Sequence, residues 1–279
     1  MMSRLMQQEF LTTRKPLLAI VGWIFLIGVL GLVPVAIPIP YANQLGQFIA
    51  LACFALLVPI LLVYLAFNYW QTMYGRRGYF TMTLPVRGRV IYWAKVCYAL
   101  VIAVVGLAAS LLGFVMGTVA VDLGNRRSVG TSLGEVWGSI TSLYGAAVWA
   151  LILIVLVQGL FFIMAVPAMF SIAAQARFNH LGVAAPVIGG VLLYLTYQVT
   201  SLAAMMFVPF GLVIEGPDAG SLVAEGMWAE IMDIVRNPQA DPGAMPEILG
   251  LGMLLSAAAL TIWIVWWGVR SLERRTSLR

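Results

Sequence analysis

Residues 143–174 read LYGAAVWALILIVLVQGLFFIMAVPAMFSIAA and contain no charged side chain. A helix of this length exceeds the ~20 apolar residues that cross the hydrocarbon core of a bilayer. The whole chain has the same character, because 62% of its 279 residues are hydrophobic and 10% are charged. A soluble fold of this size cannot bury so much apolar surface, whereas a bilayer accepts it. The sequence therefore predicts an integral membrane protein.

Six stretches are long and apolar enough to form membrane-spanning helices. They cover residues 17–39, 47–69, 94–121, 143–174, 181–208 and 248–269. None alternates polar and apolar residues as the strands of a membrane barrel do. The first stretch is longer than the roughly 7–15 residues of a signal-peptide core, so we expect it to be retained. We predict an all-α, polytopic protein that forms a single transmembrane domain over residues 1–279.

Charged residues separate between the two sides of these spans. Thirteen of the 16 Lys and Arg residues lie before the first span, after the sixth, in the second and fourth loops, or, for Lys95, at the entry to the third span. The other side holds Arg126, Arg127 and Arg236, together with nine of the 11 acidic residues. Because basic residues are enriched on the cytoplasmic side of membrane proteins, we predict that both termini are cytoplasmic.

Two segments outside the spans have helical patterns of their own. Residues 1–16 place apolar side chains at helical spacing, which indicates an interfacial helix before a turn at Pro16, with a frayed tail as the alternative. The segment 209–247 is acidic, and its apolar residues recur at helical spacing from about Ser221 to Val235. This pattern predicts an extracellular helical insert that dips into the outer leaflet, caps the external mouth or lies in solvent.

The third predicted span carries small residues on one face, at Gly106, Ser110, Gly113 and Gly117. A face of this kind allows another helix to approach closely, which favours helix association in membranes. The pattern predicts either packing inside this chain or an interface between subunits.

Patterns typical of catalysis are missing from the sequence. It contains no P-loop, no HExxH, no GxSxG and no Cys/His cluster. We therefore predict no catalytic residue, no metal and no cofactor bound by this chain. The spans also lack ionisable residues at their centres, which argues against a self-contained secondary transporter. Asn68, Gln158 and Gln198 are candidates for a translocation pathway, and interhelical hydrogen bonding is the alternative.

The segment between the second and third spans, residues 71–95, reads QTMYGRRGYFTMTLPVRGRVIYWAK. It combines basic residues and aromatic residues with a break at Leu84-Pro85-Val86. Such a segment suits docking into a groove of another protein. The same composition also suits an interfacial segment anchored by Tyr, Trp and Arg, and composition does not separate the two.

This loop and the six-span layout resemble the ABC-2 type transporter permeases, which have a type V exporter-like architecture. In that family the loop ends in a Leu-Pro-Val/Ile motif, and a lysine enters the third span. Here these positions are Leu84, Pro85, Val86 and Lys95. Arg76 and Arg77 stand where many relatives carry an acidic residue, so the contact with the ATPase is expected to differ.

The resemblance implies that residues 70–93 form a coupling loop against a separate cytosolic ABC ATPase. The implied contact residues are Tyr79, Phe80, Leu84, Pro85, Val86 and Arg87. It also implies a second permease chain, in a homodimer or a heterodimer, with ATP and Mg held by the partner ATPase. The cargo would be amphipathic or lipophilic (a drug, a peptide or a lipid), and export would cross the cytoplasmic membrane.

On this interpretation the chain is a multi-pass subunit without enzymatic activity and without a nucleic-acid partner. The alternative function is a membrane scaffold or sensor that recruits a cytosolic partner through the same loop, without transport.

Overall fold

The computed structural model describes residues 2–37, 42–75, 78, 86–145, 147–175, 178, 181–182, 184–214, 218–236 and 246–274. The helices are α1 (Met2–Ala36), α2 (Ala42–Met73), α3 (Gly88–Gly124), α4 (Thr131–Tyr144), α5 (Ala147–Ala173), α6 (Ala184–Phe207), α7 (Met227–Arg236) and α8 (Gly252–Arg274). The strands are β1 (Gly211–Val213), β2 (Leu222–Val223) and β3 (Ile248–Gly250).

Six of these helices, namely α1, α2, α3, α5, α6 and α8, are long and apolar enough to cross a membrane. Their outward surfaces are apolar, and side chains such as Leu18, Val63 and Ile262 are about 70% exposed in the single chain. Large apolar side chains at this exposure indicate contact with lipid. The prediction of a multi-pass, mainly helical membrane protein is confirmed.

The chain divides into two compact units, one up to Trp137 and one from Gly138 to Ser277. In the first unit, α1, α2 and α3 pack against one another in all three pairings. One apolar cluster of this unit contains Leu17, Leu57, Leu61, Leu65 and Tyr98. A second cluster contains Leu32, Val35, Ala50, Phe54 and Ala120. The prediction of a single domain remains a prediction.

In the second unit, α8 packs against both α5 and α6. A small antiparallel sheet places β1 between β2 and β3, with Gly211 opposite Val223 on one side and Gly250 on the other. Leu212 of β1 is buried in a cluster with Ala147, Ile154 and Leu251, so the sheet is fixed to the beginning of α5. The other buried residues of α5 lie mainly toward its end, from Ile163 to Ala173.

The structure differs from the sequence prediction at the N-terminus. The helix expected over residues 1–16 does not turn at Pro16, because α1 runs without interruption through that residue. Thr13 and Leu17, one turn before and directly after Pro16, are both buried against neighbouring helices. These contacts on both sides of the proline hold α1 in one piece despite the backbone hydrogen bond that proline removes.

Two further differences concern segments between the predicted spans. The helix expected from about Ser221 begins at Met227, because Leu222 and Val223 pair with β1 instead. The chain between the third and fourth spans contains α4, a helix that the sequence analysis does not predict. Short strands of two or three residues and a helix rich in Gly and Ser both have weak sequence signals.

Candidate functional site

Three helices of the first unit bring polar side chains together where the chain leaves α2 and enters α3. Glu9 and Thr13 come from α1, Asn68 and Thr72 from α2, and Lys95 and Tyr98 from α3. We call these six residues the polar junction. The two residues of α1 lie before Pro16, and the two residues of α3 lie directly before and just after Val96. The long uncharged stretches of those two helices begin at these points.

An ion pair lies at the centre of the polar junction. The Nζ atom of Lys95 donates hydrogen bonds to Oε1 of Glu9 and, at 2.9 Å, to Oγ1 of Thr72. The ammonium group also lies 5.9 Å from the ring centroid of Tyr69. The Lys95 side chain is 8% exposed and that of Glu9 is 20% exposed. An ammonium group with so little exposure to water requires a negative charge beside it, and the carboxylate of Glu9 supplies that charge.

A second set of bonds ties α2 into the polar junction. Asn68 donates from Nδ2 to Oε2 of Glu9 over 3.4 Å, which is a long hydrogen bond. Thr72 donates its hydroxyl proton to the Asn68 carbonyl oxygen at 2.7 Å and thereby keeps an oxygen lone pair for Lys95. Asn68, a candidate pathway residue, therefore lies next to the ion pair.

The contact between Thr13 and Tyr98 closes the polar junction on its apolar side. Thr13 is fully buried and donates its hydroxyl proton to the Glu9 carbonyl oxygen at 2.8 Å. Since a threonine has one hydroxyl proton, Tyr98 must donate to Thr13 across the 2.5 Å that separates their oxygens. Tyr98 also belongs to the apolar cluster around Leu61, so polar and apolar packing meet at this residue.

Helical spacing explains why these side chains face one another. Glu9, Thr13 and Leu17 follow at intervals of four along α1, and Lys95 and Tyr98 are three apart on α3. Residues three or four apart share one face of a helix. Each helix therefore presents a stripe that is polar near one end and apolar farther along.

The predicted coupling loop connects directly to this site. Gly88 begins α3, and the residue before it, Arg87, is exposed, while Val86 is half-buried. Lys95 follows two helical turns later and is ion-paired, whereas the resemblance implied only that it enters the third span. Tyr79, Phe80, Leu84 and Pro85 lie outside the described residues.

The small residues of α3 mostly face α2. Ser110 donates to the Phe54 carbonyl oxygen at 2.5 Å. A Cβ atom built at Gly106 would lie 2.9 Å from Leu61, and one built at Gly113 would overlap the Phe54 ring. A Cβ at Gly117 would meet only Leu32 of α1, at 4.0 Å. Three of the four predicted packing residues therefore lie at one close helix contact, and Gly117 does not.

The other pathway candidates lie in the second unit. Gln158 is half-buried on α5, and Gln198 is exposed on α6. Neither side chain forms a hydrogen bond among the residues that the structure describes. In the same unit Tyr197 and Thr261 join α6 to α8, with their oxygens 2.5 Å apart. Ser271 of α8 also donates to the Ser171 carbonyl oxygen of α5 at 2.9 Å. The structure thus shows interhelical hydrogen bonds in this unit without indicating a lined pathway.

The pairing of Glu9 with Lys95 is not predictable from the sequence. The available signal is that Glu9 is the only acidic residue among residues 1–121 and falls in a basic N-terminal segment. An isolated acid at helical spacing from Thr13 and Leu17 indicates a buried role. Several basic residues on the predicted cytoplasmic side are possible partners of Glu9, so only the fold identifies Lys95 as the partner.

Comparison of the chain with protein-family models, curated proteins and solved structures gave no match.

Proposed function

We propose that this chain is the transmembrane subunit of an ABC-2 type exporter, driven by ATP that a separate cytosolic ATPase hydrolyses. The observation that carries the proposal is the position of the polar junction beside the loop whose sequence resembles the coupling loop of that family. Lys95, part of the resemblance, is buried in an ion pair with α1. Six membrane-length helices are consistent with the same architecture.

The geometry of the polar junction suggests how force from the loop would spread. The loop is joined covalently to the end of α2 and the beginning of α3. The ion pair and the Thr13–Tyr98 hydrogen bond connect α3 to α1, which does not adjoin the loop in sequence. Because buried charge pairs resist separation, displacement of the loop would move the three helices together.

In this proposal the chain crosses the membrane and a separate subunit hydrolyses ATP. The chain has no P-loop, so ATP and Mg bind to the partner ATPase. A second permease chain, identical or related, completes the transporter in the cytoplasmic membrane. The apolar spans suit an amphipathic or lipophilic substrate, and the basic loop faces the cytosol, where the ATPase binds.

The test replaces Tyr79 and Phe80 by Ala together. The chain is purified from native membranes with whatever ATPase accompanies it, and the ATPase in the eluate is quantified along with ATP turnover. We expect the double variant to lose the ATPase, or to retain it with ATP turnover no longer stimulated by transport. The loss of two aromatic anchors removes contacts of the kind that dominate protein interfaces.

Phe67→Ala is the matched control, because Phe67 is an aromatic side chain of α2 that is 58% exposed outside the loop. It should leave both readouts unchanged. Normal ATPase recovery and normal coupling in the double variant would refute the coupling assignment. A co-purified partner without a nucleotide-binding motif would instead favour the scaffold function.

A further inference from the structure

α4 lies between two membrane-length helices but cannot itself cross a bilayer. It has 14 residues, which corresponds to a length of roughly 21 Å, against ~30 Å for the hydrocarbon core. The uncharged stretch of α3 ends at Asp122, directly before the helix ends at Gly124. The beginning of α4 therefore lies at the level where α3 leaves the membrane.

Asp122 fixes α4 at that level. Its carboxylate accepts hydrogen bonds from the backbone N–H groups of Gly130 and Ser132 at 2.8 and 2.9 Å, and from the Ser132 hydroxyl at 2.6 Å. These bonds satisfy the free N–H groups at the N-terminus of α4, where a negative charge is also favourable. The spanning helix α3 thus provides the cap for the helix that follows it.

At its other end α4 ends at Tyr144, and α5 begins at Ala147. Gly145 has a φ of 50°, the left-handed conformation that commonly terminates helices and that glycine adopts without strain. α4 is therefore an independent helix and not an extension of the span formed by α5.

One side of α4 is apolar and exposed. Leu133, Val136, Trp137, Ile140 and Leu143 recur at helical spacing and are between 38% and 62% exposed. The opposite side consists of glycine, serine and threonine with a single charged residue, Glu135, which is paired with Arg127 at 3.0 Å. The helix is thus amphipathic, and each side chain of its apolar side keeps more than a third of its surface exposed in the part of the chain that the structure describes.

We propose that α4 is an interfacial helix whose apolar side binds the lipid bilayer, with Val136 and Ile140 among the acyl chains. The bilayer is the occupant that its position indicates, because both neighbouring helices are membrane-length and Asp122 holds α4 at the end of one of them. Amphipathic helices with a tryptophan on the apolar side bind at this depth. The boundary between the two compact units falls inside α4, between Trp137 and Gly138.

The test compares two label positions that lie on opposite sides of α4. Val136→Cys and Gly138→Cys are two residues apart, about 200° around the helix. A Cβ at Gly138 meets no atom within 4 Å, so the second substitution is sterically free. Each is made in a chain whose Cys53 and Cys97 are replaced by Ala, and is labelled with the environment-sensitive fluorophore NBD. The labelled chain is reconstituted in phosphatidylcholine vesicles containing phosphatidylglycerol.

The label at position 136 should emit at shorter wavelength and be quenched at least twofold more strongly by phosphatidylcholine that carries a nitroxide on its acyl chain. The label at position 138 should be quenched preferentially by a water-soluble nickel chelate. Equal quenching of both labels by the nickel chelate would overturn the proposal, since α4 would then lie in water.

Protection of the label at position 136 from both quenchers, with cross-linking between copies of the unlabelled Val136→Cys chain, would also overturn the proposal in favour of a chain–chain contact. Ile140→Cys provides a second position on the apolar side if Val136→Cys fails to fold, and the same preference for lipid quenching is expected there. The experiment uses neither ATP nor a partner protein, so its outcome is independent of the proposed transport function.

Discussion

Among individual residues, two ion pairs of the described chain lie in very different surroundings. Lys95 and Glu9 are 8% and 20% exposed, whereas Arg127 and Glu135 are 49% and 59% exposed. Exposed pairs contribute about 0–1 kcal/mol, because water and salt screen them. Removal of one partner from a buried pair leaves a desolvated charge, which is much more costly. The two pairs provide an internal comparison within one molecule.

The substitution Glu9→Gln should lower the free energy of unfolding by about 2–4 kcal/mol. This is somewhat less than for a fully buried pair, because Glu9 retains 20% exposure. The double variant Glu9→Met with Lys95→Met removes both charges and should recover part of the loss, since apolar replacements of similar volume are tolerated. Unfolding by SDS titration in mixed micelles measures both effects.

Glu135→Gln is the control and should change the free energy of unfolding by less than about 1 kcal/mol. If Glu9→Gln costs no more than Glu135→Gln, the polar junction does not hold α1 to α3 in the way that the structure indicates.

Among the elements, the contact between α2 and α3 depends on small side chains. The Phe54 ring lies where Cβ atoms at Gly28 and Gly113 would stand, and its centroid is 5.4 Å from that of Phe25. Phe54 is 2% exposed, so the ring has no free space into which to move. Side chains larger than glycine at position 113 therefore push the two helices apart.

The substitutions Gly113→Ala and Gly117→Ala lie one turn apart on α3 and should have opposite effects. The first should destabilise the chain by about 1–3 kcal/mol, because it overpacks the Phe54 ring. The second should be neutral or stabilise by up to about 1 kcal/mol, because alanine favours the helix and its Cβ meets only Leu32, at 4.0 Å. The same SDS titration applies, and equal effects would contradict the helix contact described here.

Between α6 and α8, the Glu230 carboxylate links a helix to the sheet. Glu230 of α7 accepts hydrogen bonds from the backbone N–H groups of Glu247 and Ile248, at 2.5 and 3.2 Å. The Trp228 ring lies 5.1 Å from that of Phe207 at the end of α6. These contacts fix α7 to β3 and to a spanning helix, so the described part of this segment is a packed structure and not an extended loop.

At the scale of the whole molecule, the proposed function assigns the path across the membrane to this chain and ATP hydrolysis to a separate subunit. The described helices provide six membrane-length segments, and the sequence provides no nucleotide-binding motif. The polar junction lies in the first unit, beside the loop that we propose binds the ATPase. On the proposed function, uphill transport by this chain depends on a partner.

The purified chain alone should therefore hydrolyse no ATP above the background of the buffer, in detergent and in vesicles. ATP turnover should arise only when the co-purifying ATPase is added back. A phosphate-release assay on the size-exclusion fraction that contains the chain measures its ATP hydrolysis. Hydrolysis that co-elutes with the chain alone would refute the proposal that a separate subunit hydrolyses ATP.

Much of the helical architecture is predictable from the sequence, whereas the polar junction is not. Long uncharged stretches such as 143–174 have few alternatives to a spanning helix, because unpaired backbone groups are too costly in hydrocarbon. The pairing of Glu9 with Lys95 joins residues 86 positions apart, and helical periodicity carries no information about such distant contacts. The continuity of α1 through Pro16 also depends on residues distant in sequence, because contacts with α2 and α3 outweigh the local effect of proline.

The number of membrane-length helices and their apolar surface can be read from composition and length. These properties depend on the transfer of each segment from water to lipid, which is nearly a sum over its residues. The partner of Glu9, the close approach at Gly113 and the cap that Asp122 provides for α4 depend on which helices become neighbours. Such contacts follow from packing between segments that are distant in sequence, and they exist only once the helices have assembled.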